Sequence, residues 1–321
     1  MKEVDNGKAF DVSSGSMMSS GQRVVRRSWL LLFLFVSCFL LSRIINQRFS
    51  TSNNAGVTQS NQPKIAGHPL SQRLFHKCND EKLPFISGLL ETAEYLLFHP
   101  QTSFIRFGDF DLKLVMGQST ANQNVSLELQ QALLNILKDN DPNIAIGLPD
   151  IFGGYPAVRS SVTKIWDTWP HFRQWLLSNI DLNRRYFQTW ISQLYIVRQD
   201  DNCFNTTLIY ETLRDIWKGK SIMIVRGDNK QKYKRDIFDT ALSRTILYAP
   251  RYQAWTSYRA LKEKIFQEHE VDIYIFTCGV VGKILTYDLS KSGRRALDLG
   301  HLPKDYDYYY GNGLRKDYYI D

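Results

Sequence analysis

Between Leu83 and Leu299 the sequence alternates, at short intervals, between β-prone apolar runs and segments of helical periodicity. That alternation admits few architectures. Strands joined through helices pair in parallel, with right-handed crossovers and helices packed on the sheet. Strands are expected at Ser103–Phe107, Asn143–Gly147, Ser221–Val225, Thr245–Tyr248, Val271–Thr277 and Arg295–Leu299. Helices are expected at Leu83–Phe98, Ser126–Lys138, Val158–Ile180, Thr206–Trp217, Asp236–Ser243, Gln253–His269 and Val280–Ser290. The fold class is α/β, a Rossmann-like, mainly parallel sheet flanked by helices, and no internal repeat is evident.

The N-terminal part reads differently. Residues 1–28 are polar and end in Arg23, Arg26 and Arg27; residues 29–45 carry the apolar run Trp29–Leu41. Uninterrupted, that run falls short of the ~20 residues that span an average bilayer. Arg43 can snorkel, and Golgi or ER membranes are thinner than the plasma membrane. A cleaved signal peptide is the rival reading, opposed by the long polar lead and the lack of a small-x-small cleavage site. Basic residues before the span orient the N-terminus to the cytosol. The sequence thus predicts a cytosolic tail at 1–28, a transmembrane signal anchor at 29–45, a Ser/Asn/Gln-rich stem at 46–80 and a catalytic domain at 81–321. The expected location is a Golgi or ER membrane, single-pass type II, with the domain lumenal. Asn124-Val125-Ser126 and Asn205-Thr206-Thr207 fit the N-glycosylation pattern on that side.

The formal charge of +8 comes from 40 basic and 32 acidic residues. Half of the excess lies in residues 1–50, so the domain carries only a mild basic bias. That suits an anionic ligand and excludes a nucleic-acid stripe. The cysteines show no metal-ligand spacing, which excludes a zinc site. Cys78 and Cys203 are a possible disulfide, and Cys278 ends an apolar strand as a core residue.

The chemistry concentrates in Ser103–Gly117. A strand breaks at Gly108 and delivers Asp109 and Asp111 ahead of an apolar, helix-like segment. Open α/β sheets bind ligands at such turns, outside the carboxyl ends of their strands. Two carboxylates at i and i+2 can converge on Mn²⁺ or Mg²⁺, which prefer oxygen ligands and keep positions open for phosphate. Arg106, with its planar fork, suits the same phosphates. The competing reading makes Asp109 a helix cap. Cys278-Gly279-Val280-Val281-Gly282-Lys283 forms a second strand-to-helix turn, where Gly279, backbone N–H groups and Lys283 suit a diphosphate. The alternative there is an ordinary turn with small residues for packing. Arg226, after another strand, is a further phosphate-facing candidate. Asp298 and His301, at the end of the last strand, are candidates for general base.

Three blocks carry a resemblance. Ser103–Gly117 resembles the Arg-Phe-Gly-Asp-Gly-Glu segment of the GT-D glycosyltransferases, a bacterial family that extends glycans on serine-rich adhesins and surface polysaccharides. Arg235–Asp239 through Ile246–Pro250 resembles that family's Asp-Leu-Phe-Asp…Ile…Pro block. Residues 278–308 resemble its C-terminal signature. The resemblance implies a divalent metal and a nucleotide-sugar diphosphate held at Asp109 and Asp111. Phe110 stands where the family has Gly, and Asp111 where it has Glu. The run Asp305-Tyr306-Asp307-Tyr308 replaces a more acidic one.

The implied activity is transfer of a hexose, glucose or galactose, from a UDP-sugar to a glycan or glycoprotein acceptor. Arg106, Gly108, Arg226, Gly279 and Lys283 would bind the donor, and Asp298 or His301 would serve as base. The membrane is the further expected partner. Two rivals are a catalytically inactive, membrane-anchored glycan- or nucleotide-binding protein and a metal-dependent phosphate hydrolase.

Overall fold

The computed structural model describes residues 82–152, 170–194, 205–227 and 233–311. Within them β1 (Phe85–Ile86) leads to α1 (Leu89–Phe98), and β2 (Ser103–Arg106) to α2 (Asp109–Val115) and α3 (Leu127–Lys138). Then come β3 (Ile144–Leu148), α4 (Pro170–Asn179), β4 (Arg185–Gln188) and α5 (Thr206–Trp217). The C-terminal half holds β5 (Ser221–Gly227), β6 (Ser243–Ala249), α6 (Tyr258–Gln267), β7 (Ile273–Thr277), α7 (Val280–Lys291), β8 (Ala296–Asp298) and α8 (Leu302–Tyr310).

The eight strands form one sheet in the order β1-β4-β3-β2-β8-β7-β5-β6, and every pairing is parallel. The first four strands lie on one side and the last four on the other. They meet where Phe104 of β2 faces Leu297 of β8. The two halves of the sequence therefore join at the middle of the sheet, the kind of junction where open α/β sheets leave a crevice at their carboxyl ends.

Strands β2, β3 and β8 are buried at every residue, as parallel strands covered on both faces must be. Gly147 in β3 makes room for Phe104, since a Cβ there would lie 2.8 Å from the Phe104 ring. Helix α7 packs across β2, β7 and β8, while α1 packs on α5 and β4. Ser126 caps α3 as expected, its Oγ accepting from Leu129 N at 3.2 Å.

Several expectations need correction. Leu83–Phe98 is not one helix. Its start is the short strand β1, and α1 begins only after Gly88, whose N–H donates to Glu91 Oε2 at 3.2 Å. Asp236–Ser243 is a turn followed by β6. The Asp236 carboxylate accepts from Phe238 N at 2.9 Å, and Leu242 N donates to Lys220 O at 2.9 Å, pulling the segment out of helical register. The segment from Gln253 opens with a left-handed residue and a 3₁₀ turn, Ala254–Ser257, before α6. Strand β4 and helix α8 were not anticipated. Of the expected helix Val158–Ile180, the described part begins at Pro170. Residues 1–81, with the anchor and stem, and Cys78 and Cys203 lie outside the described residues. Cys278 is a buried free thiol, pushed up to about 12 chiefly by burial.

Candidate active site

The carboxyl ends of β2 and β8 gather a charged cluster. β2 ends at Arg106. Gly108 is extended and begins α2, with Asp109 in the first turn and Asp111 at the third helical position. The Asp111 carboxylate reaches back, its Oδ2 accepting from Gly108 N at 2.8 Å. This is half of a capping box without a side chain at the cap itself. The capping role weighed for Asp109 thus falls to Asp111.

From α7, Lys283 projects into the same place. Its Nζ lies 3.2 Å from Asp111 Oδ1 and 2.9 Å from Asp298 Oδ2, and the residue is fully buried. Asp298, 1% exposed, also accepts from Gly300 N at 3.3 Å and lies 3.7 Å from Arg106 Nε. Arg106 is itself 7% exposed, and its Nε makes no hydrogen bond. Its guanidinium is seated between two glycines. One Nη lies 3.7 Å from where a Cβ on Gly108 would stand, and the other blocks any side chain at Gly300. Gly300 has φ of +44°, a left-handed conformation that glycine adopts freely.

Asp109 is half-buried, and its carboxyl is raised above the usual range by burial and by the neighbouring charge of Asp111, with Lys113 pulling the other way. Within the buried part of the cluster Asp111 and Asp298 face Lys283 and Arg106, and Lys113 acts on Asp109 from outside it. Phe110 is exposed beside it, with Lys113 Nζ 5.5 Å from its ring centroid.

His301 follows Gly300 and caps α8. Its ring reaches solvent, yet the surrounding protein and the Arg106, Lys304 and Lys283 charges hold its pKa down to about 3. Asp298 pulls the other way without offsetting them, and the imidazole is neutral at pH 7.

The expected donor and base residues are therefore sorted. Arg106, Gly108, Asp109, Asp111, Lys283, Asp298 and His301 come together. Gly279 starts α7 with φ of +70° one strand away, where Leu299 N and Gly300 N both donate to Phe276 O. Arg226 stands apart on β5, in register with Thr277, its guanidinium 5.7 and 5.5 Å from the Tyr233 and Tyr248 ring centroids. Lys283 is taken up by two carboxylates rather than presented to a ligand. Asp298 is too enclosed to meet an acceptor hydroxyl, and His301 is a weak proton acceptor. Asp305 is buried and accepts from Tyr210 Oη at 2.6 Å, while Asp307 accepts from Lys234 N and Arg235 N, each at 2.8 Å. Neither serves as a base. Gly300 was missed in the sequence, although a glycine two residues past a strand-terminal Asp is a signal of close backbone approach.

Among the described residues no group of three or more His, Cys, Asp or Glu side chains is placed to hold a metal. Of the expected pair, Asp109 is the carboxylate left accessible to a divalent ion that takes its remaining ligands from phosphate and water, since Lys283 and the Gly108 amide engage both oxygens of Asp111.

The family described as glycosyltransferase GT-D fold matches residues 104–318. A probable glycosyl transferase Gly from Streptococcus gordonii is 26% identical over 234 residues, covering 72% of this chain and 34% of that protein. Glycosyltransferase GlyD from Streptococcus pneumoniae serotype 4 is 25% identical over 226 residues, covering 70% and 27%. The chain thus spans about a third or less of the length of these relatives. Among solved structures, a new glycosyltransferase (DUF1792) from Streptococcus sanguinis superposes with a TM-score of 0.66 at 26% identity, over 70% of this chain and 84% of that one. A structure of the domain of unknown function 1792, described as having a distinct glycosyltransferase fold, gives 0.66 at 26% identity over 71% and 82%.

These relatives are bacterial, and among the described residues no helix is long and apolar enough to cross a membrane. The expected Golgi or ER location finds no support in these bacterial relatives. Asn205, expected as a glycan acceptor, uses its Oδ1 to cap α5 by accepting from Leu208 N at 2.9 Å. With a parallel sheet of matching fold and a family match over most of its length, the chain belongs to the glycosyltransferase GT-D fold family.

Proposed function

We propose that the chain transfers a hexose, glucose or galactose, from a UDP-sugar to a glycan or glycoprotein acceptor, with a divalent cation. The observation that carries this reading is Arg106. A guanidinium buried beside two glycines, whose Nε makes no hydrogen bond and whose ion pair to Asp298 is long at 3.7 Å, is costly unless a second anion completes it. A diphosphate does so, because its oxygens suit the planar fork. Gly300 makes room for the guanidinium itself, and Gly108 adds no side chain beside it.

Asp109 would hold Mn²⁺ or Mg²⁺, with Asp111 fixed behind it, and the cation would supply charge neutralisation of the departing UDP. Arg106 adds fixed positive charge where negative charge develops on the leaving group. Asp298 and Lys283 hold Arg106 and Asp111 from behind. His301, neutral and accessible, is available as a hydrogen-bond partner for a substrate hydroxyl.

A second reading has one observation in its favour. With Asp298 enclosed and His301 weakly basic, neither expected base is strong, which favours a protein that binds a nucleotide sugar without turning it over. A donor panel separates the two. The full chain is incubated with UDP-glucose, UDP-galactose and a GDP-sugar control, with Mn²⁺ or with chelator, and released nucleotide is measured. Cation-dependent UDP release from a hexose donor is expected. Binding of UDP-sugars with no release from any of them would overturn the transferase reading in favour of the second.

A further inference from the structure

We infer that Lys283 is a positioning residue that makes the two carboxylates of the Asp-x-Asp turn unequal, anchoring Asp111 to Asp298 and leaving Asp109 as the carboxylate open to a cation. The inference rests on the reading that this turn serves the donor, and goes beyond it by giving the two aspartates different work.

Three elements meet at the Lys283 ammonium. Asp111 comes from α2, Asp298 from the end of β8, and Lys283 itself from the first turns of α7, which lies across the β2–β8 seam. Both oxygens of Asp111 are engaged, Oδ1 by Lys283 and Oδ2 by the Gly108 amide. Asp298 is likewise committed, to Lys283 through Oδ2 and to Gly300 N through Oδ1. No contact of this network involves Asp109, which lies nearer the surface. A fully buried ammonium cannot turn outward to a diphosphate without abandoning two enclosed carboxylates, leaving Asp111 without its cation and Asp298 with only Arg106 at 3.7 Å. Its place is behind the turn. There it fixes α2 against β8 and spends the charge of Asp111 internally, so that the orientation of Asp109 and Arg106 is set before any ligand arrives.

Lys283→Met, Asp111→Asn and their double variant test this in the full chain. Urea unfolding gives the coupling, hydrogen exchange of the Gly108 amide reports the anchoring, and donor hydrolysis gives kcat and KM separately. Each single variant should lose stability. The double should lose less than the two losses combined, because a neutral pair replaces the ion pair. In Lys283→Met the Gly108 amide should exchange at least about tenfold faster while amides in β5 and β6 keep their protection. Its kcat should fall at least about tenfold with donor KM within about threefold, and Lys283→Arg should recover part of that loss. Should Lys283→Met fail to fold, the charge-balanced Lys283→Met, Asp298→Asn variant carries the exchange measurement. Additive stability losses, or Gly108 exchange unchanged from wild type, would overturn the assignment. Absence of UDP release by the wild-type chain would instead overturn the proposed transfer, and the coupling and exchange would still decide the role of Lys283.

Discussion

The Arg106 guanidinium occupies the space that a side chain at Gly300 would need, so that a Cβ built on Gly300 falls inside van der Waals contact with its Nε, Cζ and Nη2. Position 300 is therefore closed to every residue but glycine for as long as Arg106 stays in place. Gly300→Ala should cost about 1–2 kcal/mol through its left-handed backbone alone. The displaced guanidinium should lower UDP affinity at least about tenfold, as loss of a charged contact does. Calorimetry with UDP and a denaturation curve measure the two effects separately.

Asp109→Asn should leave the fold as stable as wild type or more so at neutral pH. Burial and Asp111 raise the Asp109 pKa in the folded chain. A raised carboxyl binds its proton more tightly folded than unfolded, so its contribution to stability is complete below the ordinary aspartate range. That contribution is lost as pH rises through the folded value. The advantage of the Asn variant should therefore appear on going from acid to neutral pH and disappear below the usual carboxylate range. Added Mn²⁺ should narrow it by stabilising the wild type alone. Turnover should fall about 10²-fold or more, the scale of a lost electrostatic contact at a reacting centre.

Much of this arrangement was legible beforehand. The strand-break-Asp-x-Asp pattern located the end of β2, and the apolar run before Cys278 located β7, because Phe104-Ile105 and Ile273–Phe276 are buried and apolar. The partners of the charges were not legible. Lys283 reads as a phosphate ligand from its place after two glycines, and only the crossing of α7 over β2 and β8 turns it inward. Asp298 reads as a base because it ends a strand, yet Lys283 and Gly300 enclose it. β4 escaped notice because Arg185 at its exposed start interrupts the apolar pattern. Asp236–Ser243 misled because its apolar spacing is helical while the Asp236 side chain binds the backbone locally.

Tyr210→Phe should destabilise the fold by about 1–3 kcal/mol, because it withdraws the phenol that donates to the buried Asp305 carboxylate. Activity per folded molecule should stay near wild type, since Asp305 is fully buried in α8. A chemical denaturation curve set beside UDP release at a permissive temperature checks both. A large fall in activity with stability intact would instead give Asp305 a part in the reaction.

At the other end of the sheet, Lys291 bridges Asp139 at 2.8 Å and Asp141 at 2.9 Å, and Tyr287 Oη donates to Asp139 at 2.7 Å. Burial alone would raise Asp139, but hydrogen bonds from Lys291 and Tyr287 bring it below its ordinary value. Asp141 is lowered chiefly by Lys291. Depressed carboxylates contribute stability above their unfolded pKa, and that contribution is lost as pH falls through the folded values. Lys291→Met should cost no more than about 1 kcal/mol at pH 7, given the partial exposure of the lysine. Its deficit should shrink as pH is lowered through and below the ordinary aspartate range. Denaturation curves from pH 7 to pH 3 read that convergence, and a constant deficit would contradict it.

Binding of UDP by calorimetry, compared between the full-length wild type and Arg106→Met, tests most directly whether the diphosphate sits on the buried guanidinium at the ends of β2 and β8. The wild type should bind UDP, and bind it more tightly than uridine. Arg106→Met should bind UDP at least about tenfold more weakly while uridine binding is unchanged, because the lost contact is to phosphate. Equal UDP affinity in a folded Arg106→Met variant would contradict this placement of the donor.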